Sequence, residues 1–127
     1  MDDATLVDLF DKGELREFPH LDHIRVVFAR TRQTNRTEAI EFTRRGLRAL
    51  TQRVGAPDKY HDTLTVAWAR IIGTLTEQAP NLDFDDFMRA HPELARSSLM
   101  DEYYSREVLH SAAARARFIE PDLRDLP

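Results

Sequence analysis

The chain has 127 residues, 42% hydrophobic and 31% charged, which describes one globular domain over 1–127 with enough apolar material for a core. A net charge of −4 leaves no polybasic surplus for a nucleic-acid partner, and the absence of cysteine excludes disulfides, thiolate metal sites and cysteine nucleophiles. No apolar run approaches the length of a membrane span, and the acidic start Met1-Asp2-Asp3 does not lead into a signal peptide, so a cytoplasmic protein of bacterial type without a membrane partner is expected.

No stretch alternates as a strand would, and glycine and proline fall between helical patterns. A first short helix is predicted from Ala4 to Lys12, with Asp3 as its cap, Leu6, Leu9 and Phe10 on one face, and Gly13 ending it. Pro19 suits the first position of a second helix running to Arg32, with Leu21, Ile24, Val27 and Phe28 inward. Asn35 and Glu38 resemble a capping box that opens a third helix. Its seam is Ile40, Thr43, Leu47, Leu50 and Val54, and Gly55 closes it.

Pro57 is predicted to open the fourth and longest helix, which extends to Gln78 with Tyr60, Leu64, Ala67, Trp68, Ile71 and Leu75 as its apolar stripe. Leu47, Leu64, Trp68 and Ile71 are the core residues this pattern names. Asp83 can cap a short helix bearing Phe84, Phe87 and Met88, which stops before Pro92. Another short piece carries Leu99, Met100, Tyr103 and Tyr104. Ser105 can cap a last helix in which Leu109, Ala112, Ala113 and Ala116 pack, and an extended tail follows Pro121. The expected fold is therefore all-α, a compact bundle of about five to seven helices around a long central hairpin. Short connections make consecutive helices antiparallel neighbours.

Three of the five histidines form a pattern. His20 and His23 are three residues apart at the start of the second helix and so share a face. His61 lies at the start of the fourth. In an up–down–up arrangement the second and fourth helices are parallel, and the three imidazoles gather at one end of the bundle. Positive potential at a helix N-terminus disfavours imidazolium. A neutral imidazole there can act as a general base, a hydrogen-bonding group or a ligand to a divalent metal. His61 is the first candidate for the base, with His20 and His23 beside it, and the same three are the only set suited to a metal. Tyr60, Thr65 and Trp68 would wall the site, Tyr104 would contribute a phenol, and Arg106 would hold an anionic group; the other reading of Tyr103-Tyr104-Ser105-Arg106 is one buried tyrosine, a helix cap and a surface arginine. His91 and His110 are read as helix-end and packing-boundary residues. Asp83, Asp85 and Asp86 lack the spacing of a calcium loop and are read as a cap and first-turn charges.

The segments Phe18-Pro19-His20-Leu21-Asp22-His23-Ile24-Arg25, Lys59-Tyr60-His61-Asp62-Thr63-Leu64-Thr65 and Tyr103-Tyr104-Ser105-Arg106 with Phe118-Ile119-Glu120-Pro121-Asp122-Leu123 resemble those of a family of small uncharacterised bacterial all-helical proteins. Its members carry His-x-x-His, Tyr-His-(acid)-Thr and Tyr-Tyr-Ser-Arg stretches in this order. The resemblance spans Phe18 to Pro127. It implies that the three segments belong together and implies no reaction. The leading expectation is a small-molecule enzyme or binding protein with an end-on, histidine-lined pocket, open to metal assistance and to an anionic ligand. The rival is a helical protein–protein adaptor without catalysis, and a homo-oligomer is compatible with either.

Overall fold

The computed structural model describes residues 1–127 and contains no strand. Its α-helices are α1 (Asp3–Asp11), α2 (His20–Gln33), α3 (Arg36–Arg53), α4 (Asp62–Gln78), α5 (Phe84–Ala90), α6 (Arg106–Leu109) and α7 (Ala112–Ala116), with 3-10 turns at Pro57–Lys59, Pro92–Ala95 and Ser97–Glu102. No helix is long and apolar enough to cross a membrane.

Helices α2, α3 and α4 form the up–down–up centre. The larger core joins Ile24, Val27 and Phe28 of α2 to Ala67, Ile71 and Ile72 of α4, and continues through Phe84, Phe87, Leu94, Leu99 and Tyr104 to Leu126 near the C-terminus. A smaller cluster of Leu6, Val7 and Phe10 docks α1 against Val26, Ala29 and Phe42. That docking needs Gly46, because a Cβ there would stand 2.2 Å from the Phe10 ring.

Caps explain where the helices differ from the sequence pattern. Asp2, one residue before the expected cap, accepts the Thr5 N–H and starts α1. Asn35 accepts the Glu38 N–H and Asp83 the Asp86 N–H, as their spacing predicts. The fourth helix does not begin at Pro57. A 3-10 turn occupies Pro57–Lys59, and α4 starts at Asp62 with His61 as its N-cap. The expected last helix is two. Ser111 donates to the Val108 carbonyl and accepts the Ala114 N–H, which breaks the chain and restarts it. The break rotates the register, so Leu109 and Ala114 are buried while Ala112, Ala113 and Ala116 are exposed.

The tail is a strap rather than a free end. Tyr104 donates to the Ile119 carbonyl, the Leu123 N–H to Tyr103, and the Ser105 N–H to the Asp122 carboxylate. Thr63 on α4 holds the same strap, donating to Arg117 and accepting from the Ile119 N–H.

Candidate functional site

A cleft of about 510 Å³ opens between the N-terminal halves of α2 and α4 and the C-terminal half of α3. This size suits a small organic molecule. From α2 it takes His20, His23, Ile24 and Val27; from α3, Thr43, Leu47, Leu50, Thr51 and Val54; from α4, Leu64, Thr65, Trp68, Ala69 and Ile72. Phe18, Tyr60 and His61 complete the wall, and Arg16 and Lys59 stand at its exposed rim.

The apolar stripes of α3 and α4 thus do two jobs. Ala67 and Ile71 pack in the core, but Leu47, Leu64 and Trp68, which periodicity names as core, are half-buried cleft walls. Val54, at the end of the α3 seam, is exposed. Leu21, assigned inward on α2, is exposed as well. Hydrophobic spacing selects a helix face and cannot tell whether a neighbour or a cavity lies opposite it.

His20, His23 and His61 all line this cleft, together with Tyr60, Thr65 and Trp68. Their remaining bonding capacity differs. His61 Nδ1 accepts the Leu64 N–H at 3.1 Å and caps α4, so its proton is on Nε2, which donates to the Leu109 carbonyl at 2.7 Å. Both nitrogens are committed within the chain, and neither is free to take a proton from a substrate or to bind a metal. His20 Nε2 lies 2.8 Å from the Leu94 carbonyl and donates to it, while the ring sits edge-on to Trp68 with centroids 4.7 Å apart. His23 stacks on Phe18 at 3.9 Å. Burial, aided by the neighbouring His20 charge and opposed by a hydrogen bond to the Phe18 backbone, pushes the His23 imidazole down to about 4. At neutral pH His23 is uncharged.

These bonds bear on the metal expectation. No three His, Cys, Asp or Glu side chains are grouped so as to hold a metal ion, and His61 would have to give up at least its cap of α4 to join one. Thr65 also spends its hydroxyl inside the chain, donating to the His61 carbonyl.

Tyr104 and Arg106 do not line the cleft. The Tyr104 phenol is buried and tied to Ile119, and burial with the nearby Glu120 charge raises it to about 12. Arg106 is exposed at the first position of α6. Of the three segments singled out by resemblance, the first two meet in the cleft, and the third builds the strap.

Beside the cleft lies a charged cluster that the pattern did not reveal. Asp62 is fully buried and receives the Arg44 guanidinium as a fork, Nε at 3.1 Å and Nη2 at 2.8 Å. Tyr60 donates to the same carboxylate at 2.6 Å and Arg48 at 3.4 Å. Burial pushes the Asp62 carboxyl up, but the Arg44 and Tyr60 hydrogen bonds and the two arginine charges outweigh it and hold it below the usual carboxylate range. Burial and Asp62 together push the Tyr60 phenol up to about 12. Arg44 and Arg48 anchor α3 to the start of α4 and fix the Tyr60 wall. The available signal was their spacing of four on one face opposite an acid in the first turn of the next helix.

Comparison with protein-family models, with curated proteins and with solved structures finds no match to this chain, so the site's own geometry carries the functional reading.

Proposed function

We propose that this chain is a small-molecule binding protein whose ligand enters the cleft between α2, α3 and α4 with an apolar body leading. The carrying observation is the cleft itself, about 510 Å³ with eleven hydrophobic residues among the nineteen that line it. A filled core would bury Leu47, Leu50, Leu64 and Trp68 against one another, and leaving them around open space forgoes roughly 25 cal/mol for each Å² of apolar surface. A ligand with an apolar body recovers that burial. Binding is favoured over catalysis by His61 because both its nitrogens are engaged with Leu64 and Leu109. The cysteine-free composition is in keeping with a cytoplasmic setting, and the resemblance to small bacterial helical proteins belongs to this same reading.

Trp68 is the single tryptophan and stands in the cleft wall, so it reports on occupancy. Titration with N-phenylnaphthylamine, a neutral apolar probe, should quench Trp68 emission saturably. Thr51→Phe should weaken that binding about tenfold by narrowing the cleft, while leaving thermal unfolding unchanged. Absence of saturable quenching, or full-strength binding by Thr51→Phe, would refute the cleft as the ligand site.

A further inference from the structure

The groups around the cleft also define the ligand's charge. Apart from the Tyr60 phenol, every ionisable side chain that lines it is a base: Arg16, His20, His23, Lys59 and His61. No carboxylate faces the cavity, although the chain carries 22 Asp and Glu against 18 Lys and Arg. Asp62 is adjacent but wholly engaged by Arg44, Arg48 and Tyr60.

Arg16 and Lys59 are the two cations of the rim. Both are exposed, and neither makes an ion pair or a side-chain hydrogen bond with another residue, whereas Arg25 is paired with Asp3 and Arg44 with Asp62. They approach the mouth from different segments, Arg16 from the link between α1 and α2 and Lys59 from the turn before α4. The wall beneath them is apolar, formed by Val27, Leu47, Leu50 and Leu64. A small inorganic anion would leave that wall unfilled. A cationic amphiphile would set its charge beside two like charges.

Resting on the small-molecule reading above, we infer that the ligand is a free organic acid: a carboxylate with an apolar tail, the tail seated between α2, α3 and α4 and the carboxylate held at the mouth by Arg16 and Lys59.

The test displaces bound N-phenylnaphthylamine with three amphiphiles of equal chain length, decanoate, decanol and decyltrimethylammonium, at low salt and neutral pH. Decanoate should compete about fivefold better than decanol, which is what two solvent-exposed charge contacts are worth, and decyltrimethylammonium should compete worst. The preference should shrink as salt is added. In the Arg16→Gln/Lys59→Gln double variant, decanoate should fall to the level of decanol while decanol itself is unchanged. Neither side chain has a partner to lose, so this variant keeps its fold. Equal competition by decanoate and decanol in the unaltered protein overturns the inference and leaves the binding reading standing. A preference that survives in the double variant removes the role of Arg16 and Lys59. Failure of the neutral probe to bind refutes both. Attachment to phosphatidylglycerol vesicles that decanoate does not reverse would move the charge recognition to a lipid surface and overturn the free acid.

Discussion

The two walls of the cleft, one at the start of α4 and one at the start of α2, have opposite relations to their surroundings. Asp62 is buried and charged, and Arg44, Arg48 and Tyr60 saturate its oxygens. Across the cleft from this cluster, His20 and His23 stand at a wall where bonding capacity remains, since His20 donates from Nε2 alone and His23 is held neutral against Phe18. His61 faces the cleft but belongs with Asp62, because both its nitrogens are engaged. Lining a cavity is therefore not enough to make a polar group available to a ligand. Availability depends on which hydrogen bonds the fold has already formed.

The largest effect should come from breaking the saturated side. Arg44→Ala leaves the Asp62 carboxylate buried with only the long Arg48 contact and Tyr60, and stability should fall by about 3 kcal/mol, read as a lower urea midpoint. A loss under about 1 kcal/mol would mean that solvent reaches Asp62 and that the cluster is no anchor.

His61 gives the next effect and decides which side it belongs to. His61→Ala removes the α4 cap and strands the Leu109 carbonyl, for a loss of about 2 kcal/mol. His61→Asn keeps a capping oxygen and should recover about half of that in thermal unfolding. An unaltered midpoint in His61→Ala would detach His61 from the structural group and return it to the ligand side.

The smallest effect distinguishes His23. Its folded-state value lies near 4, below the unfolded 6.5, so the native state favours the neutral ring. The associated stability is present above about pH 6.5 and is lost as pH falls toward 4. Because the ring is partly exposed, the change should be on the order of 1 kcal/mol. His23→Phe keeps the stack on Phe18 and should flatten the stability curve across that window. The Asp62 carboxyl, held low, contributes its own loss only at more acidic pH, so the two sides separate along the pH axis. A slope between pH 6.5 and 4 that persists in His23→Phe would assign it to other groups.

Local pattern carried the helical class, the central hairpin and the caps at Asn35, Asp83 and Ser105, because periodicity and capping are properties of a few adjacent residues. It also carried the grouping of His20, His23, Tyr60, His61, Thr65 and Trp68 at one end, since chain direction follows from short connections. It failed where an outcome depends on distant partners. The Tyr103–Arg106 segment allowed ligand chemistry or a buried tyrosine, a cap and a surface arginine, and only its partner, the tail fifteen or more residues on, decides for the latter. Leu47, Leu64 and Trp68 are apolar at core spacing in either case, and only the separation of α2, α3 and α4 makes them a cleft wall. The commitment of His61 to Leu109, 48 residues away, is likewise invisible in the heptapeptide around it. The sequence by itself determined which faces are apolar and where chemistry-bearing side chains sit along each helix. The tertiary structure alone decided which of those side chains are already hydrogen-bonded and which still face open space, because saturation and packing are relations between segments far apart in the chain.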